Sequence, residues 1–208
     1  MKLKSQGKEV QAHGNLYEDF IIKNLTGFSK KEYDKQKAGG YTSAMDLVKG
    51  LHVDKNYSIK SANGNKVDCG DILRRMVEDD YNIVIGLWKQ IDDKKLFHTE
   101  YTFYIKPEDM NKLWGNMKFE DVKEFVKFVK SIPPGEEAQQ ATKVERELLK
   151  KKIADKNALM VIHPKVDSKN QRRVQCSFKI DQMIKYGVEY TKKDINIEIY
   201  SPKRKFNK

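Results

Sequence analysis

An aspartate and a lysine set close together in the first third of the chain are the residues best placed to do chemistry. Asp46 lies in Ala44–Val48, and Ser58-Ile59-Lys60 lie in Tyr57–Ala62; both short extended runs fall within Gly39–Ile72. Side chains alternate along a strand, so Ser58 and Lys60 share one face while Ile59 turns to the core. If the two runs pair as a small hairpin, Asp46 meets Lys60 over one patch of sheet. A carboxylate that holds a divalent cation, next to a lysine that steadies a developing negative charge, is a minimal set for cleaving a phosphodiester.

The elements that must carry this pair are legible from periodicity. Residues 14–26 predict a first helix, with Leu16, Phe20, Ile21 and Leu25 as its apolar stripe, Asn15 as its cap and Glu18 on its flank. Residues 28–40 read as a charged connector that closes on Gly39-Gly40. After Asn63-Gly64-Asn65, the spacing of Ile72, Leu73, Met76 and Val77 predicts a helix with Asp68 or Asp71 near its start. Tyr81–Gln90 and Leu96–Lys106 predict a hairpin of strands across Asp92-Asp93-Lys94-Lys95. Phe119, Val122, Phe125, Val126 and Val129 mark a packing helix, and Pro133-Pro134-Gly135 mark a boundary between a core, residues 1–135, and a lobe, residues 136–208. The expected fold is α/β (α+β): a central mixed sheet of at least four strands flanked by helices, with the lobe packed on it and carrying a β-hairpin of its own.

This arrangement resembles the PD-(D/E)XK nuclease superfamily, and within it the type II restriction endonucleases. The resemblance covers roughly residues 14–105. It implies a restriction-endonuclease-like core, with Asp46 as the motif aspartate, Lys60 as the motif lysine and the backbone carbonyl of Ile59 as a further ligand for Mg²⁺. The sequence departs from the pattern at Met45, where the family often has proline, and at Ser58, where a second acid is expected. Glu18, Asp68 and Asp71 are the candidates to replace that carboxylate. The implied activity is Mg²⁺-dependent, sequence-specific hydrolysis of double-stranded DNA by a homodimer. A cognate DNA methyltransferase would be its companion in the same system, without being a physical partner. The alternatives are a non-catalytic DNA-binding protein and a structure-specific or repair nuclease on the same core.

Composition agrees with a nucleic-acid partner. The 208 residues carry a net charge of +11. Residues 141–208 hold 18 Lys/Arg against 8 Asp/Glu, whereas residues 1–140 hold 23 against 22, so the excess is segregated in the last third. A localised basic excess is what a phosphate-tracking surface needs. No run approaches the ~18 apolar residues of a membrane span, and MKLKSQGKEV has no apolar signal region. Cys69 and Cys176 stand far apart in sequence with no CxxC spacing, which argues against a disulfide framework or a zinc site. The expected location is the cytoplasm.

Base reading is expected in the last third. Ala158–His163 and Arg173–Phe178 predict two strands, and the segment between them is crowded with Lys165, Ser168, Lys169, Asn170, Gln171, Arg172 and Arg173, with Gln175 following on the strand. Arg and Lys pair with guanine and Asn and Gln with adenine, and a two-stranded ribbon fits the major groove.

Overall fold

The computed structural model describes residues 2–4, 12–40, 43–76, 79–167 and 171–201. Ser168, Lys169, Asn170, Val77 and the tail after Ser201 lie outside the described residues. In chain order the first elements are β1 (Lys2–Lys4), α1 (Ala12–Thr26), α2 (Lys30–Gln36), β2 (Asn56–Ala62), β3 (Lys66–Asp71), β4 (Tyr81–Ile91) and β5 (Lys94–Ile105). A 3-10 turn (Pro107–Asp109) leads to α3 (Met110–Trp114), α4 (Phe119–Ser131), α5 (Glu136–Ala141) and α6 (Lys143–Ile153). The chain ends with β6 (Val161–Val166), β7 (Arg172–Lys179), α7 (Ile180–Lys185) and β8 (Tyr190–Tyr200). Among the described residues no helix is long and apolar enough to cross a membrane.

These elements form two compact units. The first takes its described residues from 1–65, 80–105 and 188–208, the second from 66–79 and 106–187. The expected boundary at Pro133-Pro134-Gly135 therefore falls inside the second unit. Strand pairing is the reason: β8, assigned from sequence to the C-terminal lobe, pairs along β5 and joins the first unit's sheet.

The first unit is a mixed five-stranded sheet in the order β1-β8-β5-β4-β2. Strand β2 runs parallel to β4, and β4 and β5 form the expected antiparallel hairpin. The hairpin turns at Asp92, whose φ of 49° is in the left-handed region that Asp tolerates better than most residues. Helix α1 lays Tyr17, Ile21 and Ile22 on Ile59, Val84, Phe97, Ile197 and Ile199 of the sheet. Apolar burial of this kind contributes about 1.5–3 kcal/mol per large side chain. Gly86 makes the closest approach possible: a Cβ built there would stand 2.4 Å from Tyr17 Cζ and 2.7 Å from Phe97 Cδ1. The two rings stack at 4.5 Å over this bare stretch of backbone.

Residues 30–36, expected as connector, are helical. Ser29 caps α2 through a capping box with Glu32, in which each side chain satisfies the other residue's backbone N–H. Residues 43–48 are also less regular than expected. They form a bend, with a single bridge from Leu47 to Tyr57 in place of a strand pair.

The second unit holds an antiparallel sheet in the order β3-β7-β6. Here the sequence expectation of a helix near residue 72 fails, because residues 66–71 pair as a strand with β7 and a turn follows at 73–75. The apolar face of the sheet, with Val67, Val174, Phe178 and Ile162 buried, packs against α4 and its Val122, Phe125, Val126 and Val129. Cys69 and Cys176, remote in sequence, are brought together by this pairing as buried free thiols. Their mutual hydrogen bond and burial push the Cys176 thiol upward.

Candidate active site

The site is built on the outer edge of β2. An edge strand presents unpaired N–H and C=O groups that need partners, and here the bend at 43–48 supplies them. Leu47 and Tyr57 exchange backbone hydrogen bonds of 3.1 and 2.9 Å, and Asp46 N donates to Tyr57 O at 2.8 Å. Two residues further along the edge a side chain takes over: Asp46 Oδ2 accepts from Ile59 N at 2.6 Å and from Lys60 Nζ at 3.3 Å. Lys60 Nζ also donates to Ile59 O at 3.0 Å. Asp46, Lys60 and the Ile59 carbonyl thus meet at one point.

Helix α2 fixes the backbone behind this point. Lys37, at its C-terminal end and 6% exposed, donates from Nζ to Met45 O at 3.2 Å and to Asp46 O at 3.0 Å. It also ion-pairs with Asp34 at 3.1 Å. Substituting Lys37 with Met is expected to leave both carbonyls without this donor and to cost about 1.5–3 kcal/mol, the worth of hydrogen bonds to a charged group. Chemical denaturation checks the loss of stability, and faster amide exchange at Asp46 and Leu47 would place it in the bend.

Glu18, half-buried on α1, is the candidate second carboxylate. Burial raises its pKa first, and the charge of Asp46 raises it further, while the hydrogen bond and charge of Lys30 and the charge of Lys60 act in the opposite direction. Lys30 Nζ holds Glu18 Oε1 at 2.9 Å and Asp34 Oδ2 at 2.9 Å. Burial lowers the pKa of Lys30, but these two carboxylates outweigh it and hold the ammonium above its ordinary value. One residue before Glu18, Tyr17 is fully buried and donates to Glu100 Oε2 at 2.7 Å.

Asp46, the Ile59 carbonyl and Lys60 come together, and the charge of Asp46 is felt at Glu18. Magnesium is held through one or two carboxylates and keeps several waters, so this set fits it. Among the described residues there is no group of three or more His, Cys, Asp or Glu side chains suited to a metal.

The remaining residues of the expected catalytic set are placed elsewhere. Ser58 is 1% exposed, and its hydroxyl has no hydrogen-bond partner among the described residues. Asp68 and Asp71 belong to the second unit, where Asp68 stands opposite Ser177 and Asp71 Oδ1 caps the turn by accepting from Leu73 N at 3.1 Å. Sequence reasoning missed Lys30 and Lys37, which position the site. The signal was present: Ser29-Lys30-Lys31-Glu32 is a capping-box pattern that announces α2.

The expected recognition residues lie in the second unit. Lys165 pairs directly with Arg173 across β6 and β7, and Gln175 shares the face of Arg173. Arg172 points the other way. Its Nε donates to Ile132 O at 2.8 Å, its Nη1 to Asp167 O and Gln171 O at 2.8 Å each, and its Nη2 to Pro133 O. The guanidinium is therefore committed to the backbone and clamps the hairpin to the Ile132-Pro133 turn. Arg172→Ala is expected to lower stability by about 1.5–3 kcal/mol. Arg173→Ala is expected to leave stability unchanged and, if DNA binds this face, to reduce the slope of log affinity against log salt by about one. Thermal unfolding and a salt titration of duplex binding separate the two effects.

In comparisons with known proteins the chain matches no family model, no curated protein and no solved structure.

Proposed function

We propose that the chain is a Mg²⁺-dependent endonuclease of restriction type, hydrolysing phosphodiester bonds of double-stranded DNA at a specific sequence. The observation that carries this reading is the meeting of Asp46, Lys60 and the Ile59 carbonyl at the outer edge of β2, with Glu18 near enough to feel the charge of Asp46. Glu18 takes the place of the acid missing at Ser58. Asp46, Glu18 and the Ile59 carbonyl would hold the cation, which when bound neutralises phosphate charge and makes water a better nucleophile. Lys60 sets an ammonium where negative charge builds up on the phosphoryl oxygens, a role that accelerates reaction because the charge is positioned beforehand. Without the cation, Lys60 balances Asp46 and Lys30 balances Glu18, so the folded chain does not carry two bare carboxylates side by side.

Sequence reading falls to the exposed face of β6 and β7, through Lys165, Arg173 and Gln175. With one site per chain, cleavage of both strands calls for a symmetric pair of chains on a palindromic target. A non-catalytic DNA-binding protein is the second reading. It is favoured by Ser58, whose buried hydroxyl stands where the motif has an acid.

Incubation of the purified protein with a long unmethylated duplex, with Mg²⁺ or with EDTA, tests the proposal on a sizing gel. Discrete fragments that require Mg²⁺ support the specific endonuclease. A Mg²⁺-dependent smear supports a nuclease without sequence preference. Intact DNA from several unrelated genomes, still retarded on a native gel, favours the binding protein.

A further inference from the structure

The second unit's sheet places like charges directly against one another. Lys66 of β3 is the register partner of Lys179 of β7, and Lys165 of β6 is that of Arg173. Like charges directly opposite destabilise a sheet, so folding alone gives no reason for them. Among the described residues Lys66, Lys156 and Lys179 take part in no ion pair. All three line one pocket of about 400 Å³, within the second unit, whose described walls contain no carboxylate. That volume is in the range of small-molecule sites.

The rest of the wall mixes apolar side chains, among them Leu159, Val161 and Phe178, with polar and aromatic ones. His163 Nε2 and Ser177 Oγ are 2.7 Å apart, and Ser177 is 2% exposed. Burial, then the charges of Lys66 and Lys165, with a smaller push from Lys150, lower the pKa of His163 against the opposing pull of Asp68. These effects favour the uncharged imidazole, which serves as a hydrogen-bonding wall beside the lysines. Asn157 and Gln182 add amides, and Tyr186, 49% exposed, offers a ring at the rim.

We propose that this pocket binds a nucleotide, its phosphate held by Lys66, Lys156 and Lys179 and its base laid against Tyr186. Lysine ammoniums take phosphate oxygens as point charges, and a base stacks on an aromatic ring whatever its identity. A bound phosphate turns the Lys66–Lys179 repulsion into a shared attraction. The chemistry is that of a nucleoside phosphate, supplied either as a free nucleotide or as a unit of a nucleic-acid strand. The site is separate from the Asp46 edge and does not depend on the reading given there.

Calorimetric titration of the full chain at low salt with deoxyadenosine 5′-monophosphate, and in parallel with deoxyadenosine, tests this. The monophosphate should bind at least 10-fold more tightly than the nucleoside. Lys66→Gln and Lys179→Gln should each weaken it about 10-fold, while Lys143→Gln on α6 and Asp46→Asn should leave it unchanged. In the absence of ligand both pocket variants should melt no lower than the parent, because each removes one of two repelling charges. Displacement of the monophosphate by a short duplex would assign the pocket to a nucleic-acid strand, and failure to displace it would assign the pocket to a free nucleotide. Equal binding of nucleoside and monophosphate, undiminished binding in both lysine variants, or loss of binding in Asp46→Asn would each overturn the proposal.

Discussion

Asp46→Asn should lower the single-turnover rate of Mg²⁺-dependent cleavage at least about 100-fold, since even outer-shell partners of a metal contribute 10–100-fold, while duplex binding in EDTA stays near the parent value. Asn is the right substitution because its side-chain oxygen can still accept from Ile59 N, so the edge of β2 keeps its partner. Asp46→Ala would not separate the two roles. It would also leave a backbone N–H without its acceptor, at a cost of about 1–3 kcal/mol. Lys60→Ala should cost about 10²–10³-fold in rate, the usual effect of removing one preorganised stabiliser of transition-state charge. Gel retardation and unfolding curves belong beside the rate measurement. A folded Lys60→Ala protein that has lost binding as well as cleavage would argue that Lys60 contacts DNA in the ground state.

The second large effect is structural. Gly86→Ala should destabilise the first unit by about 3 kcal/mol, at the upper end of overpacking costs, and lower its melting temperature by about 6–12 °C. The added methyl would run into Tyr17 and Phe97, and neither ring is free to retreat. They are stacked on each other, and the Tyr17 hydroxyl is tied to Glu100, the register partner of Gly86 on β5. Relief requires α1 to lift off the sheet, and α1 carries Glu18. The same variant should therefore lose cleavage out of proportion to its folded fraction. Gly64→Ala is the control, because a methyl there meets nothing within 4 Å. An unchanged melting temperature for Gly86→Ala would mean that the α1 interface is looser than the Tyr17–Phe97 stack implies.

What could be read in the sequence followed the range of each interaction. The β4–β5 hairpin and α4 announce themselves through alternation and a 3.6-residue stripe, because neighbouring residues decide them. The Asp46–Lys60 contact was legible for the same reason: a short loop joins the two segments and one edge hydrogen bond sets their relation. Helix α2 was legible in principle from Ser29 and Glu32, but its lysine-rich sequence has almost no apolar face and so lacked periodicity. Arg172 and Arg173 are indistinguishable by composition, and only the position of the Ile132 and Pro133 carbonyls separates a clamp from an exposed cation.

The sequence by itself determined an α/β chain of mixed strands and helices, a basic excess in its last third, and one acid–lysine pair at strand spacing. Tertiary structure decided what those pieces belong to. Residues 66–71 carry a helical apolar spacing just beyond them, yet they pair with a strand about a hundred residues later. Strand β8 leaves the basic third and completes the first unit's sheet, so the chain crosses between its two units at residues 65, 79, 105 and 187. A helix closes its hydrogen bonds within itself and writes its period into the local sequence. A strand takes its hydrogen bonds from wherever a matching edge lies, and its preference is set by the neighbours it packs against.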